Sequence, residues 1–504
     1  MHLAARRGSK DIVDLLLDHA AVQDTMSIHK KTPLHYAAEF GSIDVCQQLL
    51  QMGSDPAAKD EYGQTPLHLA AHADQDGVFD LFMGLPAGLK LLTPTDWNGL
   101  NIAHIAAQQG SIRVITRLLD VDRHLVVSSK IQGTDSTALH LAAINGHAEV
   151  LRVLLENGAD ATQENKEGFN PLHLTAKVGN ISGFRVLQNY LTLRTCSMKI
   201  GLNAVHIAAY YGQMNFLREV LEHVPVDTKS EQPTVNNAFV KETAAEPGLT
   251  ALHLACKAGQ DDVIRLLLTF PECDPDATST TTGAVPFHFA ARSGNIAAAN
   301  LLMGRADVNI ADHKGRTTLM FAVIAGNMEF CKLLMDHDVD VLVQDQNGFT
   351  ALHFAAATGK LDLVKQLLDH GAQPECRTKA GKTPLKVAVG ARQLDTVRFL
   401  LKQPYNSTEL AEDREFLYNL MICSKLARQR PLEEFIIHAQ SPVEVALKVT
   451  EFYRTAATMD REYEHDLAHS SYFCSALTYD LLQIACQNTH LPLFSSHTIF
   501  NFVH

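Results

Sequence analysis

One phrase returns through this chain at intervals close to 33 residues: a lead-in of small or capping residues, then Leu-His, then two small residues. It reads Thr32-Pro33-Leu34-His35-Tyr36-Ala37-Ala38, then Thr65-Pro66-Leu67-His68-Leu69-Ala70-Ala71, and later Thr350-Ala351-Leu352-His353-Phe354-Ala355-Ala356. At the histidine position stand His2, His35, His68, His104, His140, His173, His206, His253, His288, Met320, His353 and Lys386, spaced by 33, 33, 36, 36, 33, 33, 47, 35, 32, 33 and 33 residues. A unit this short cannot bury its own apolar face, so neighbours must stack to make a core. The expected product is an extended surface, not one deep cleft.

Each piece of the phrase has a mechanical reading. Thr32, Thr65 and Thr383 can cap a first helix, and Pro33, Pro66 and Pro384 fit its first turn, where no amide donor is needed. His68 can bond back towards the threonine turn, and Ala70 and Ala71 allow close helix approach. A glycine such as Gly41, Gly110, Gly146 or Gly359 then ends that helix. The second helix is amphipathic, as in Leu363, Val364, Leu367 and Leu368, and a polar hairpin such as Thr378-Lys379-Ala380-Gly381 leads onward. The phrase resembles the ankyrin repeat, a helix–turn–helix unit of about 33 residues carrying T-P-L-H-x-A. That resemblance implies an all-α fold: an ankyrin-repeat α-solenoid of about 12 repeats over residues 1–404, acting through protein–protein contact.

The 504 residues are 46% hydrophobic, ample for a continuous core, and the formal charge of −13 disfavours nucleic acid or an anionic membrane as the main target. Nine scattered cysteines without a C-x-x-C pair suggest reduced thiols, hence a cytoplasmic address. No apolar run reaches the ~18 residues of a membrane span, so direct membrane insertion is not expected. The opening, Met1-His2-Leu3-Ala4-Ala5, falls inside the first helix of a unit, as in a chain that starts mid-array.

Two segments break the rhythm. The 47-residue step from His206 to His253 places an insertion at about Val224 to Pro247, read as a surface loop. The stretch Met83 to Trp97 contains Pro86, Pro94 and the only tryptophan, at the hairpin tip Asp96-Trp97-Asn98-Gly99. Trp97, with Tyr62, Phe169 and Phe349 at or beside other hairpins, is a candidate partner contact. Lys30 takes the usual hairpin glycine position. Lys386 in place of histidine suits a terminal, less buried repeat.

From about Tyr405 the phrase stops. Asp413-Arg414-Glu415-Phe416-Leu417-Tyr418-Asn419-Leu420-Met421 leads to Leu432-Glu433-Glu434-Phe435, then to Ser441-Pro442-Val443-Glu444, which has the form of a capping box. The expected division is short linker helices over 405–440, a long amphipathic linker helix over 441–486 and a divergent, unstructured tail over 487–504. Tyr463, Leu467, Ser470, Cys474, Leu477, Leu481 and Ile484 make a heptad-like seam. This junction is similar to that of the TRPN family, the no-mechanoreceptor-potential-C type of transient receptor potential channel. The residues that carry the likeness are Asp413, Phe416, Tyr418, Asn419, Ser441 and Pro442, with Ala476 to Leu482. It implies a cytoplasmic mechanical spring and linker, microtubules as a distal partner, and a cation pore region, tetrameric in a full channel, that this sequence does not contain. Joined to such a channel, the chain would lie at the cytoplasmic face of the plasma membrane. The alternative is a freestanding cytosolic adaptor binding a protein partner.

No catalytic, cofactor or metal signature stands out. Ten of the 25 histidines belong to the repeat, and His465-Asp466-Leu467-Ala468-His469 lacks both the glutamate and a third ligand of a zinc protease. Walker-type, G-x-S-x-G and kinase patterns are absent, so a non-enzymatic scaffold is expected.

Overall fold

A computed structural model describes residues 1–19, 24–192, 195–223, 248–337, 339–403, 405, 407–426 and 430–458. The Val224–Pro247 insertion, the seam from Tyr463 onward, the His465/His469 pair and the tail fall outside these residues. The chain divides into two units, Met1–Asp274 and Pro275–His504. Both are built from antiparallel helix pairs, and no strand occurs among the described residues, only the isolated bridges Met303–Ala306 and Ala311–Thr317.

The first unit stacks eight pairs, whose first helices are His2–Arg7, Pro33–Glu39, Pro66–His72, Ile102–Gln109, Ala138–Asn145, Pro171–Val178, Ala204–Tyr210 and Ala251–Ala258. The second stacks four, opening on Pro286–Ser293, Thr318–Ala325, Ala351–Thr358 and Pro384–Gly390. The repeat period is thus an α-solenoid period in both. First helices pack on first helices and second on second, so each buried face is completed by the next pair in sequence. Alanines at the contact, such as Ala70, Ala106 and Ala355, are fully buried and let the short helices approach closely. Larger side chains from the second helices (Phe79, Phe216, Phe330) fill the layer behind them.

The ends of these helices follow local chemistry. Thr65 caps Pro66–His72, and Thr383 accepts from the Lys386 amide at the start of Pro384–Gly390. Gly359 ends Ala351–Thr358 at φ 71°, a left-handed conformation that a side chain would strain. Lys30 holds φ 56° in its hairpin, consistent with its taking a glycine position. Two irregularities were not legible in the sequence. A short 3-10 turn, Gly88–Leu92, occupies the Met83–Trp97 stretch, and the second helix Ile112–Ser128 is kinked at Asp122 (φ −146°, ψ 84°).

The largest departure from expectation lies after residue 404. The helices Arg414–Leu426 and Arg430–Ile437 stack on Pro384–Gly390 and Leu394–Leu400 in the same first-on-first, second-on-second manner. They extend the second unit without the Leu-His phrase. Phe435, Leu420 and Cys423 are fully buried there, and Tyr405 stacks on Phe435 while its hydroxyl donates to the Phe435 carbonyl (2.9 Å). Lys386 is consequently not at an open end. Its side chain is 15% exposed and its ammonium meets Asp413 at 2.7 Å, because another helix pair covers it. Ser407–Glu412 and Pro442–Thr458 pack against each other beside this pair. The described part of the helix that follows Ser441 is Pro442–Thr458.

Candidate interaction surface

The recurring histidines form a structural clip, not a reactive group. The Thr32 amide donates to His35 Nδ1 (3.1 Å), and the same bond joins Thr65 to His68 (3.2 Å), Thr137 to His140 (3.1 Å) and Thr350 to His353 (3.1 Å). Asn101, Asn170, Asn203, Thr250 and Val285 stand in the same relation to His104, His173, His206, His253 and His288. An accepting Nδ1 carries no proton, so the neutral ring holds its hydrogen on Nε2 and can donate it. That hydrogen reaches into the next repeat: His35 to the Gln64 carbonyl (3.1 Å), His140 to Phe169 (3.1 Å) and His353 to Lys382 (3.0 Å), each 29 residues on. His104 reaches Ser129, and His173 and His288 reach Thr195 and Ile310. His68 differs. Its Nε2 is buried without an acceptor in bonding geometry. Burial disfavours the charged ring and lowers the pKa of His68, His140 and His288 to about 4.

A second tie runs along the hairpin tips. In the first unit Glu61 N–H donates to His29 O (3.1 Å), Trp97 N–H to Tyr62 O (3.0 Å) and Lys166 N–H to Thr134 O (2.8 Å). In the second, His313 reaches Thr282 (2.8 Å), Gln346 reaches Lys314 (2.8 Å) and Lys379 reaches Asn347 (2.9 Å). Four hairpins are closed by a carboxylate that accepts two backbone amides, while Asn165 and Thr378 close others. Asp60 takes Tyr62 and Gln64, Asp96 takes Asn98 and Leu100, Asp312 takes Lys314 and Arg316, and Asp345 takes Asn347 and Phe349. The sequence reading missed these residues. Their signal was an Asp eight positions before His68, His104, Met320 and His353, visible once the frame is set.

Clips and tips together hold one set of outward positions in register. Trp97 (68% exposed) and Tyr62 (57%) stand on consecutive tips. The Trp97 ring lies over Gly63, where a Cβ would come within 2.7 Å of it; its indole donates to Glu61 O (3.0 Å) and the Lys59 ammonium sits 5.0 Å from the ring centre. The other two candidate contacts are more enclosed. Phe169 is only 9% exposed, its ring edge-on to His173 and covered by the Lys177 ammonium. Phe349 is half-buried between His353 and Phe354.

In the C-terminal part Asp413 caps its helix by accepting from the Phe416 amide (3.0 Å), and Phe416 packs edge-on to Phe435. Tyr418 is at the surface, and Asn419 donates to the Glu415 carbonyl (2.9 Å). Ser441 O accepts from Val445 N–H (3.0 Å) at the helix that Pro442 opens. Among the described residues no group of three metal-ligating side chains converges, and no helix is long and apolar enough to cross a membrane. A cavity of about 280 Å³ opens between two consecutive first helices and their hairpins, floored by Leu141, Ile144 and Leu174. A family model described as ankyrin repeats (three copies) matches residues 1–88, 77–165, 103–193, 172–280, 287–378 and 319–410.

Proposed function

Because the chain belongs to the ankyrin-repeat family, a family of binding scaffolds, we propose that it holds a protein partner on the face made by its first helices and hairpin tips. The observation that carries this reading is the doubled tie between neighbouring repeats. Histidine clips and tip-to-tip amide bonds keep outward side chains at fixed spacing, and a preorganised surface loses little entropy on binding. The exposed pair Tyr62 and Trp97 supplies large, nearly rigid contact area of the kind that dominates interface energetics. The test is affinity capture with the chain and with the double variant Tyr62→Ala/Trp97→Ala, after circular dichroism confirms that both are folded. Specific partners should drop out with the variant and with substitutions on the first-helix face. An unchanged set of bound proteins across all surface variants counts against the reading.

We further propose that the scaffold is mechanical, the spring and linker of a TRPN-like mechanosensitive channel. Support comes from the resemblance of residues 405–486 and from the stacking of Arg414–Leu426 and Arg430–Ile437 on the last repeat, which gives force a packed path. Reversible extension of the purified chain under tension, before any repeat unravels, is the expected result. Sequencing the transcript in both directions should find coding sequence for membrane helices downstream. A stop after His504 in the mature transcript would leave the adaptor reading in its place.

A further inference from the structure

Resting on the scaffold reading, we infer that the cavity between the Ala138–Asn145 and Pro171–Val178 helices takes an apolar side chain of an extended acidic peptide, with Lys177 and Lys166 receiving its carboxylates. The floor is aliphatic: Leu141, Ile144 and Leu174, with Ile144 37% exposed at the mouth. A volume of about 280 Å³ has room for one leucine- or phenylalanine-sized side chain.

The rim decides the charge of the occupant. Lys177 Nζ is held between two aromatic faces, 4.9 Å from the Phe169 centre and 5.3 Å from that of Tyr211. Two ring quadrupoles stabilise the cation there and fix its position. The ammonium meets the Glu167 carboxylate at 3.6 Å, on a side chain that is largely solvent-exposed. Glu167 therefore marks where a carboxylate sits when it meets this ammonium, and a partner's carboxylate can take that place at little cost. Lys166 stands on the same rim, exposed. The two lysines on this rim select an acidic segment over a basic one. An aliphatic floor also offers no aromatic face for a base to stack on, which favours a peptide side chain over a nucleobase.

The probe is a short fluorescein-labelled Gly/Ser peptide with a central Glu-Leu-Glu, titrated with the full chain by anisotropy. Matched peptides carry Glu-Ser-Glu or Lys-Leu-Lys, and an oligouridylate covers the nucleic-acid alternative. Glu-Leu-Glu should bind roughly tenfold better than either matched peptide and lose affinity as salt rises. Lys177→Glu and Ile144→Asp should each weaken it by about tenfold or more, while Lys177→Arg retains it. Equal binding of Lys-Leu-Lys, tighter binding of oligouridylate, no binding of Glu-Leu-Glu, or unaltered affinity in a folded Lys177→Glu chain overturns the inference. The salt series on the unaltered chain decides the matter even if a variant fails to fold. If Tyr62→Ala/Trp97→Ala loses partners while the Glu-Leu-Glu peptide shows no preference for the pocket, the pocket assignment fails and the scaffold reading stands.

Discussion

A single neutral imidazole does three jobs in most repeats: it satisfies the amide that opens its own helix, fills the core and donates to the next repeat. Removing it strands the amide at the helix start and cuts the tie to a carbonyl that keeps only its own hairpin donor. His140→Ala, which leaves the Thr137 amide unpartnered and takes one of two donors from the Phe169 carbonyl, should cost about 1–3 kcal/mol, read as a loss of urea midpoint. The same bonds make the fold acid-sensitive. Folded histidines have pKa values lowered by burial, to about 4 for His68, His140 and His288, against about 6.5 unfolded. Between those values the unfolded chain binds more protons, so stability is full above about pH 6.5 and falls as pH drops towards 4. At pH 5 each such histidine should remove on the order of 1–2 kcal/mol. Thermal melts from pH 7.5 to 4.5 check this; a flat melting temperature over that range would contradict it. His68, already without an acceptor on Nε2, should tolerate replacement better than His140.

Between elements, the join after the last phrase-bearing repeat is set by charge of one polarity. Cations stand on the repeat side and anions on the helices that follow: Arg377 with Glu409 (2.6 Å), Lys382 with Glu415 (3.0 Å), Lys386 with Asp413 (2.7 Å) and Arg398 with Glu434 (3.0 Å). The exposed pairs contribute little individually and are screened by salt. The Lys386–Asp413 pair is more sheltered and joins the helix cap to the core. Hydrogen exchange should therefore speed up over 414–437 in high salt while 318–369 stays protected. Lys386→Met should release the same helices, by about 1–2 kcal/mol, because Asp413 loses its counter-ion. Equal acceleration in both regions would show that the join has no separate electrostatic character.

At the scale of the whole molecule, cooperativity is local. Within each unit a helix pair touches its sequence neighbours, so damage spreads by one interface at a time. Phe330→Ala, which empties a fully buried position behind Thr318–Ala325, should cost about 3–5 kcal/mol. Its exchange signature should be confined to residues near 296–369, leaving 33–72 unchanged. Urea unfolding of the full chain should be broader than a two-state transition of a 504-residue protein would be.

How much was legible follows from distance along the chain. The frame, the threonine and proline at the helix starts, the left-handed glycines and the tip position of Trp97 all depend on residues within one repeat of each other. Period and capping chemistry therefore specify them without reference to anything remote. What needed coordinates was every outcome that turns on how one repeat meets the next. Those outcomes include the turn each histidine reaches, the unmatched Nε2 of His68 and the burial of Phe169. They include also the Lys177 cation between two rings from different repeats, and a helix pair that stacks without the phrase. Such features depend on shifts of a few ångströms set by loop lengths and side-chain volumes on both sides of an interface. No residue type announces them, because a carbonyl or a ring becomes a partner only once its neighbour has been folded against it.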